Sequence, residues 1–125
     1  MSSLSDFDLD LSVGHEGENL VQAVLTGTKT VEVKKDLRWK DTGNLYIENL
    51  CWSHNQNCWY PSGLSSTKAE YWAFVLEKGI IVVPTEILKK VVLVRGREIE
   101  CKIKPNFSKG HLITPEDILD ALKAL

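Results

Sequence analysis

The stretch from Thr28 to Leu50 constrains the fold more than any other part of the sequence. Thr28–Leu37 places β-branched Thr30, Val31 and Val33 in a run where Val31 and Val33 alternate with Glu32 and Lys34. That two-residue period is the signature of a strand with its charged side chains on one face. Leu45–Leu50 alternates again, with Leu45, Ile47 and Asn49 set against Tyr46, Glu48 and Leu50. Between them, Asp41-Thr42-Gly43-Asn44 is a turn signal. The spacing predicts a hairpin centred near Lys40. Glu48 then lies across from Glu32, and Asp36 faces Asn44. Three acids and one lysine would share a face of a two-stranded ribbon.

Other segments supply helices and shorter strands. Leu20, Val21, Val24 and Leu25 form one stripe at helical spacing, predicting a helix over 17–25 that Gly27 closes. Residues 1–13 are acidic and polar, and read as a loosely held arm. Cys51–Leu64 reads as a polar and aromatic loop. Thr67 with Glu70 resembles a capping box, predicting a second helix through Ala69, Tyr71, Trp72, Phe74 and Val75 that ends at Lys78-Gly79. Ile80–Val83 is a short apolar strand, and Thr85–Lys90 about one helical turn. Val91–Val94 and Glu98–Ile103 suggest a strand pair around Arg95-Gly96-Arg97. Thr114-Pro115-Glu116-Asp117 starts a last helix, with a Thr cap, Pro at the first position and acids in the first turn. The order implies a mixed α/β or α+β domain.

The bulk properties narrow the class. The 125 residues make one domain, 43% hydrophobic and 26% charged, an ordinary balance for a globular chain. No apolar run is long enough to span a bilayer. The first residues lack a basic region ahead of an apolar stretch, so no secretory signal is expected. The three cysteines, Cys51, Cys58 and Cys101, are too few for a disulfide framework and fit a reducing compartment. A cytoplasmic protein without a membrane partner is expected. The net charge of −2 and pI near 5.9 run against a nonspecific nucleic-acid binder. A site that gathers carboxylates to hold a cation is, however, acidic when counted without its metal.

Like charges crowded on one sheet face are costly unless compensated. A divalent cation compensates them. Mg²⁺ takes one or two carboxylates, with waters and substrate phosphate oxygens completing its shell. It can polarise a phosphodiester and lower the pKa of a water, while a nearby ammonium offsets developing charge. Glu32, Glu48 and Asp36 are candidate ligands. Glu18, early in the first helix and preceded by His15 and Glu16, is a further one.

The tripeptide Glu32-Val33-Lys34 resembles the (D/E)XK half of the PD-(D/E)XK nuclease motif. The ordered set is more specific: Gly-x-x-Gly-Glu at 14–18, Val-Glu-Val-Lys-Lys-Asp at 31–36 and Thr-Gly-Asn-Leu-Tyr-Ile-Glu at 42–48, then Pro-Ser-Gly-Leu at 61–64 and Thr-Lys-Ala-Glu-Tyr-Trp at 67–72. Over residues 14–76 this is similar to small phage-type nucleases and resolvase-like proteins of that superfamily. Lys109-Gly110-His111-Leu112-Ile113 extends the similarity weakly. The resemblance implies a restriction-endonuclease-like core, with a central mixed sheet and flanking helices. It also implies Mg²⁺- or Mn²⁺-dependent hydrolysis of DNA and, by family analogy, a homodimer. A phage-encoded protein of this kind would work in the host cytoplasm.

The family's early Asp has no counterpart, because residues 19–31 contain no Asp or Glu. Two assignments stay open. In one, Glu32 and Lys34 are the tripeptide, and Glu18 and Glu48 complete the metal shell. In the other, Asp36 serves as the early acid and Glu48 as the later one, with Lys34 standing in for a lysine absent at Leu50.

The expected DNA contacts are Lys35, Arg38, Trp39 and Lys40 at the hairpin tip, three cations and an aromatic. Ser62 and Lys68 would bind phosphate ahead of a helix N-terminus. Two competing readings remain. One is a non-catalytic nucleic-acid-binding or regulatory module on the same fold. The other is an interaction domain stabilised by zinc on Cys51, His54 and Cys58, with Cys101 as a fourth ligand.

Overall fold

The computed structural model describes residues 17–103 and 106–125. The proposed arm at 1–13 and the Gly14-His15-Glu16 segment lie outside them. The chain is a mixed α+β domain whose strands divide between two sheets. The elements are α1 (17–25), β1 (Val31–Lys35), α2 (Trp39–Thr42), β2 (Leu45–Ser53), β3 (Cys58–Pro61), a 3₁₀ turn (Gly63–Ser65), β4 (Tyr71–Leu76), β5 (Gly79–Pro84), α3 (Thr85–Arg95), β6 (Arg97–Cys101), β7 (Ser108–Ile113) and α4 (Pro115–Lys123).

The first sheet runs β1-β4-β5, and the second β3-β2-β7-β6. The expected hairpin of Thr28–Leu37 with Leu45–Leu50 does not form. β1 pairs parallel with β4 instead, while β2 pairs antiparallel with β3 and β7. The turn signal at Asp41–Asn44 closes the short α2, where Gly43 takes the left-handed conformation (φ 75°) and its N–H bonds Trp39 O.

The segment after Thr67 is strand rather than helix. Tyr-Trp-Ala-Phe-Val-Leu is an apolar run with aromatic and β-branched residues, and short runs of this kind do not distinguish buried strand from buried helix by period. Here β4 is the central strand of its sheet, and Lys78 belongs to the tight turn into β5, where Leu76 pairs with Gly79.

Two other expectations change for related reasons. The turn from Thr85 extends to Arg95 and absorbs Val91–Val94, because Leu88, Val91 and Val92 fall three and four apart and bury together. Arg95-Gly96-Arg97 therefore links a helix to β6, which pairs with β7. The loop expected over Cys51–Leu64 contains the end of β2 and all of β3, joined as a hairpin. The strand at Ile80–Val83, the helix at 17–25 and the last helix form as predicted. In α4 the Thr114 hydroxyl accepts from the Asp117 N–H, and the Asp117 carboxylate accepts from the Thr114 N–H.

One core joins the two sheets. Trp72, Phe74 and Val83 from the first sheet meet Leu45, Ile47 and Ile113 from the second, with Leu88, Val91, Val92, Ile118 and Leu64 completing it. No helix among the described residues is long and apolar enough to cross a membrane.

β2 carries an irregularity between Glu48 and Leu50, where Asn49 has no ladder partner on β7. Glycines make it possible. A Cβ on Gly110 would strike Ile47 O, and one on Gly63 would strike Glu48 O. We predict that Gly110→Ala destabilises the fold by about 2 kcal/mol or more, while Gly79→Ala, where a Cβ meets nothing within 4 Å, stays within about 0.5 kcal/mol. Urea unfolding of the two variants checks this.

Candidate active site

β1 is an edge strand, and its register with β4 decides what its side chains meet. Glu32 stands beside Trp72 and Lys34 beside Phe74. Both charged side chains therefore share the sheet face on which Trp72 and Phe74 are buried. The Lys34 ammonium lies 3.6 Å from the Glu32 carboxylate and 5.4 Å from the centroid of the Trp72 ring. The side chains remain 41% and 42% exposed, so the pair is held against the core edge while open to solvent. The expected sharing of one face by Glu32 and Lys34 holds, with an indole as their floor.

Asp36, just beyond β1, has a different occupation. Its Oδ1 accepts the Arg38 N–H at 2.9 Å, and its Oδ2 accepts the Tyr46 N–H at 2.8 Å. It caps the turn into α2 and ties the end of β1 to the start of β2, linking the two sheets. Both carboxylate oxygens are engaged by backbone donors.

Glu48 is not across from Glu32. It lies in the second sheet, beside Gly110, one residue out of phase with the buried Leu45 and Ile47, and so on the face turned from the core. Its charge acts on Tyr46 and Tyr60. Glu18 is exposed on α1. Among the described residues, no three His, Cys, Asp or Glu side chains converge on a metal-holding position. The acids predicted from the sequence are thus dispersed: Glu32 with Lys34 on one sheet, Asp36 between the sheets, Glu48 on the outer face of the other.

The expected DNA contacts also separate. Trp39 is half-buried and packs against the core. Lys40 pairs with Glu77 at 3.1 Å. Lys35 and Arg38 are exposed cations near the end of β1. Lys68 is exposed and Ser62 half-buried, but the helix N-terminus expected after them is absent, because β4 is a strand. Among the described residues, Cys51, His54, Cys58 and Cys101 are likewise not gathered into a metal-holding group. Cys51, Cys58 and Cys101 form no disulfide, and Tyr60 stands across from Cys51 in the β2–β3 hairpin.

A side-chain network missed in the sequence surrounds the β2 irregularity. His111 Nδ1 lies 2.7 Å from Asn49 Oδ1, and Asn49 Nδ2 donates to Ser65 Oγ at 3.1 Å. Gly96 leaves room for the His111 ring, since a Cβ there would come within 3.1 Å of His111 Cβ and Cδ2. The β2–β7 register brings Asn49 to Gly110 and His111, and the 3₁₀ turn and the end of α3 add Gly63 and Gly96, a grouping that their scatter along the sequence does not show.

On the outer face, burial raises the Tyr46 phenol above its ordinary value. The hydrogen bond to Ser108 (2.7 Å) opposes that shift, and the charges of Cys101, Glu48 and Cys51 add to it.

With this geometry in view, no protein-family model matches the chain, and neither a curated protein nor a solved structure does.

Two predictions follow from these bonds. Asp36→Ala should cost about 2 kcal/mol, the range of hydrogen bonds to a charged acceptor, in urea melts at neutral pH. For Tyr46, the native state favours the neutral phenol. Its stabilisation is therefore complete below the unfolded value, near pH 10, and is lost as pH rises through the higher native value. Denaturant melts at rising alkaline pH should show a steeper stability loss in the parent than in Tyr46→Phe.

Proposed function

We propose that the chain hydrolyses DNA phosphodiester bonds at the core-side edge of β1, with Glu32 and Lys34 as the working pair. The observation that carries this reading is the half-exposed Lys34 ammonium, beside a carboxylate and over the Trp72 ring. The ordered motif similarity around residues 31–48 supports it. An exposed ion pair of this kind adds little stability, about 0–1 kcal/mol, so its geometry is not explained by a need for fold strength.

Mg²⁺ or Mn²⁺ fits here as an ion that arrives with its waters and the substrate phosphate, because such a shell needs only one or two protein carboxylates. A preformed multi-acid cage does not fit the dispersed acids. Glu32 is the residue that would hold the ion, since Asp36 is committed to two backbone donors and Glu48 faces away from the core. When bound, the cation would polarise the phosphodiester and acidify a water. Lys34 contributes donors without any acceptor. It orients the attacking water through a lone pair and offsets charge growing on the phosphate. The Trp72 ring lies 5.4 Å from the ammonium, within cation–π range. Lys35 and Arg38, exposed near the same strand end, supply phosphate contacts that position the strand.

A second reading is a nucleic-acid-binding module without catalysis. The engagement of both Asp36 oxygens by the backbone favours it. The experiment that separates them incubates plasmid, linear, single-stranded and branched DNA with the protein in Mg²⁺, Mn²⁺ or EDTA, beside Glu32→Ala and Lys34→Ala. We expect metal-dependent nicking or cleavage that falls roughly 100-fold or more in either variant. Cleavage that survives both substitutions removes this site. Binding by gel shift without cleavage of any substrate supports the module instead.

A further inference from the structure

A second set of aromatic side chains lies outside the core. Trp52 pairs with Trp59 across the β2–β3 hairpin. On its other side the Trp52 N–H donates to Phe107 O at 2.9 Å, which continues the register of Cys51 with Ser108 by one residue. Directly opposed residues on neighbouring strands project to the same face. Trp59, Trp52 and Phe107 therefore form one row across three strands. Two strand spacings make the row about 10 Å wide. The two indoles meet edge to face with centroids 5.3 Å apart, and the Phe107 ring meets His54 at 6.2 Å. In the next row Lys109 shares this face, and its ammonium lies 4.3 Å from the centroid of the Trp59 ring. Among the described residues, all three rings are half-buried, and none is part of the core or packed against it. One cross-strand aromatic pair, worth about 0.5–1.5 kcal/mol, suffices to hold a hairpin. The third ring and the cation are not explained by that need.

We propose that this row binds the unpaired bases of single-stranded DNA. Bases stack on the indoles, and the Lys109 ammonium pairs with a phosphate of the same strand. Aromatic side chains beside a cation hold single strands of any sequence, because every base offers a π-face. A duplex keeps those faces inside its own stack, so the row discriminates by strandedness. Glu98 and Glu100 stand across from His111 and Lys109 and bound this face on the β6 side. Their charge turns the phosphate backbone toward β3, whose residues Cys58-Trp59-Tyr60-Pro61 include no acid. Such a row rests on DNA being the substrate, as proposed above, but not on cleavage. It lies in the second sheet, whereas Glu32 and Lys34 lie in the first.

Fluorescence anisotropy of the full chain in EDTA tests this, with a labelled thymidine oligonucleotide and a blunt duplex of the same length. The parent should bind the single strand roughly 10-fold or more tighter than the duplex. Trp52→Ala and Trp59→Ala should each weaken single-strand binding roughly 10-fold, the loss expected of one stacked base, while Trp59→Phe keeps most of it. Lys109→Gln should reduce the slope of log affinity against log salt by about 0.7, as the loss of one phosphate contact would. Tyr60→Ala, on the opposite face of the same hairpin, should change neither quantity. Circular dichroism confirms that each variant is folded. Should an alanine variant unfold, the Lys109→Gln slope decides, and an unchanged slope overturns the proposal. Equal weakening by Tyr60→Ala overturns it too, as does tighter binding of the matching RNA strand, which assigns the row to RNA. Equal affinity for duplex and single strand overturns the row and leaves the DNA reading in place, whereas no binding to either form overturns both. A single-strand preference in EDTA without cleavage in Mg²⁺ supports the row and removes only the nuclease reading.

Discussion

Trp72 and Phe74 bury completely on one face of β4, and the arrangement of the candidate site depends on that burial. β4 lies between β1 and β5, so its aromatic face meets Leu45, Ile47 and Ile113 of the second sheet and Leu88 and Val91 of α3. Each large buried side chain contributes about 1.5–3 kcal/mol by leaving water. A β1–β2 hairpin would leave β4 without its parallel neighbour. Pairing β1 with β4 places the Lys34 ammonium over the Trp72 ring, where it meets Glu32. The Glu32–Lys34 ion pair is a by-product of how the core is closed.

The second constraint is the join between the sheets. Asp36 accepts two backbone N–H groups, one in its own turn and one on β2, and so sets where β2 begins. Farther along β2, the Asn49 irregularity is accommodated by glycines and anchored by His111 and Ser65. These polar contacts explain why residues expected to gather around a cation do not. Asp36 is held by the backbone, and Glu48 is turned to the outer face with Tyr46 and Cys51.

Much of the local structure was legible in the sequence. The alternation in Val31–Lys34 and in Leu45–Glu48 identified two strands, and the Thr114-Pro115 start identified α4 together with its cap. Pairing was not legible. Two alternating runs around a turn signal read naturally as a hairpin, yet the turn residues closed a short helix and the runs joined different sheets. β4 was misread because both its faces are covered along much of its length, which erases the polar–apolar period that marks a strand. The packing of Trp39 was hidden for a related reason. A tryptophan among cations gives no sign in the sequence that tertiary packing sets part of it against the core.

The sequence by itself determined that Glu32 and Lys34 share a face, because successive side chains of any strand alternate. It also determined the class of fold and the position of its last helix, which local hydrogen bonding specifies. Only the tertiary structure decided which residues stand opposite that face. Strand pairing is chosen by the total apolar surface removed from water across the whole domain, and no short window of sequence carries that sum. For this reason Lys34 lies over Trp72, Glu48 lies in another sheet, and β5 is left as an apolar edge.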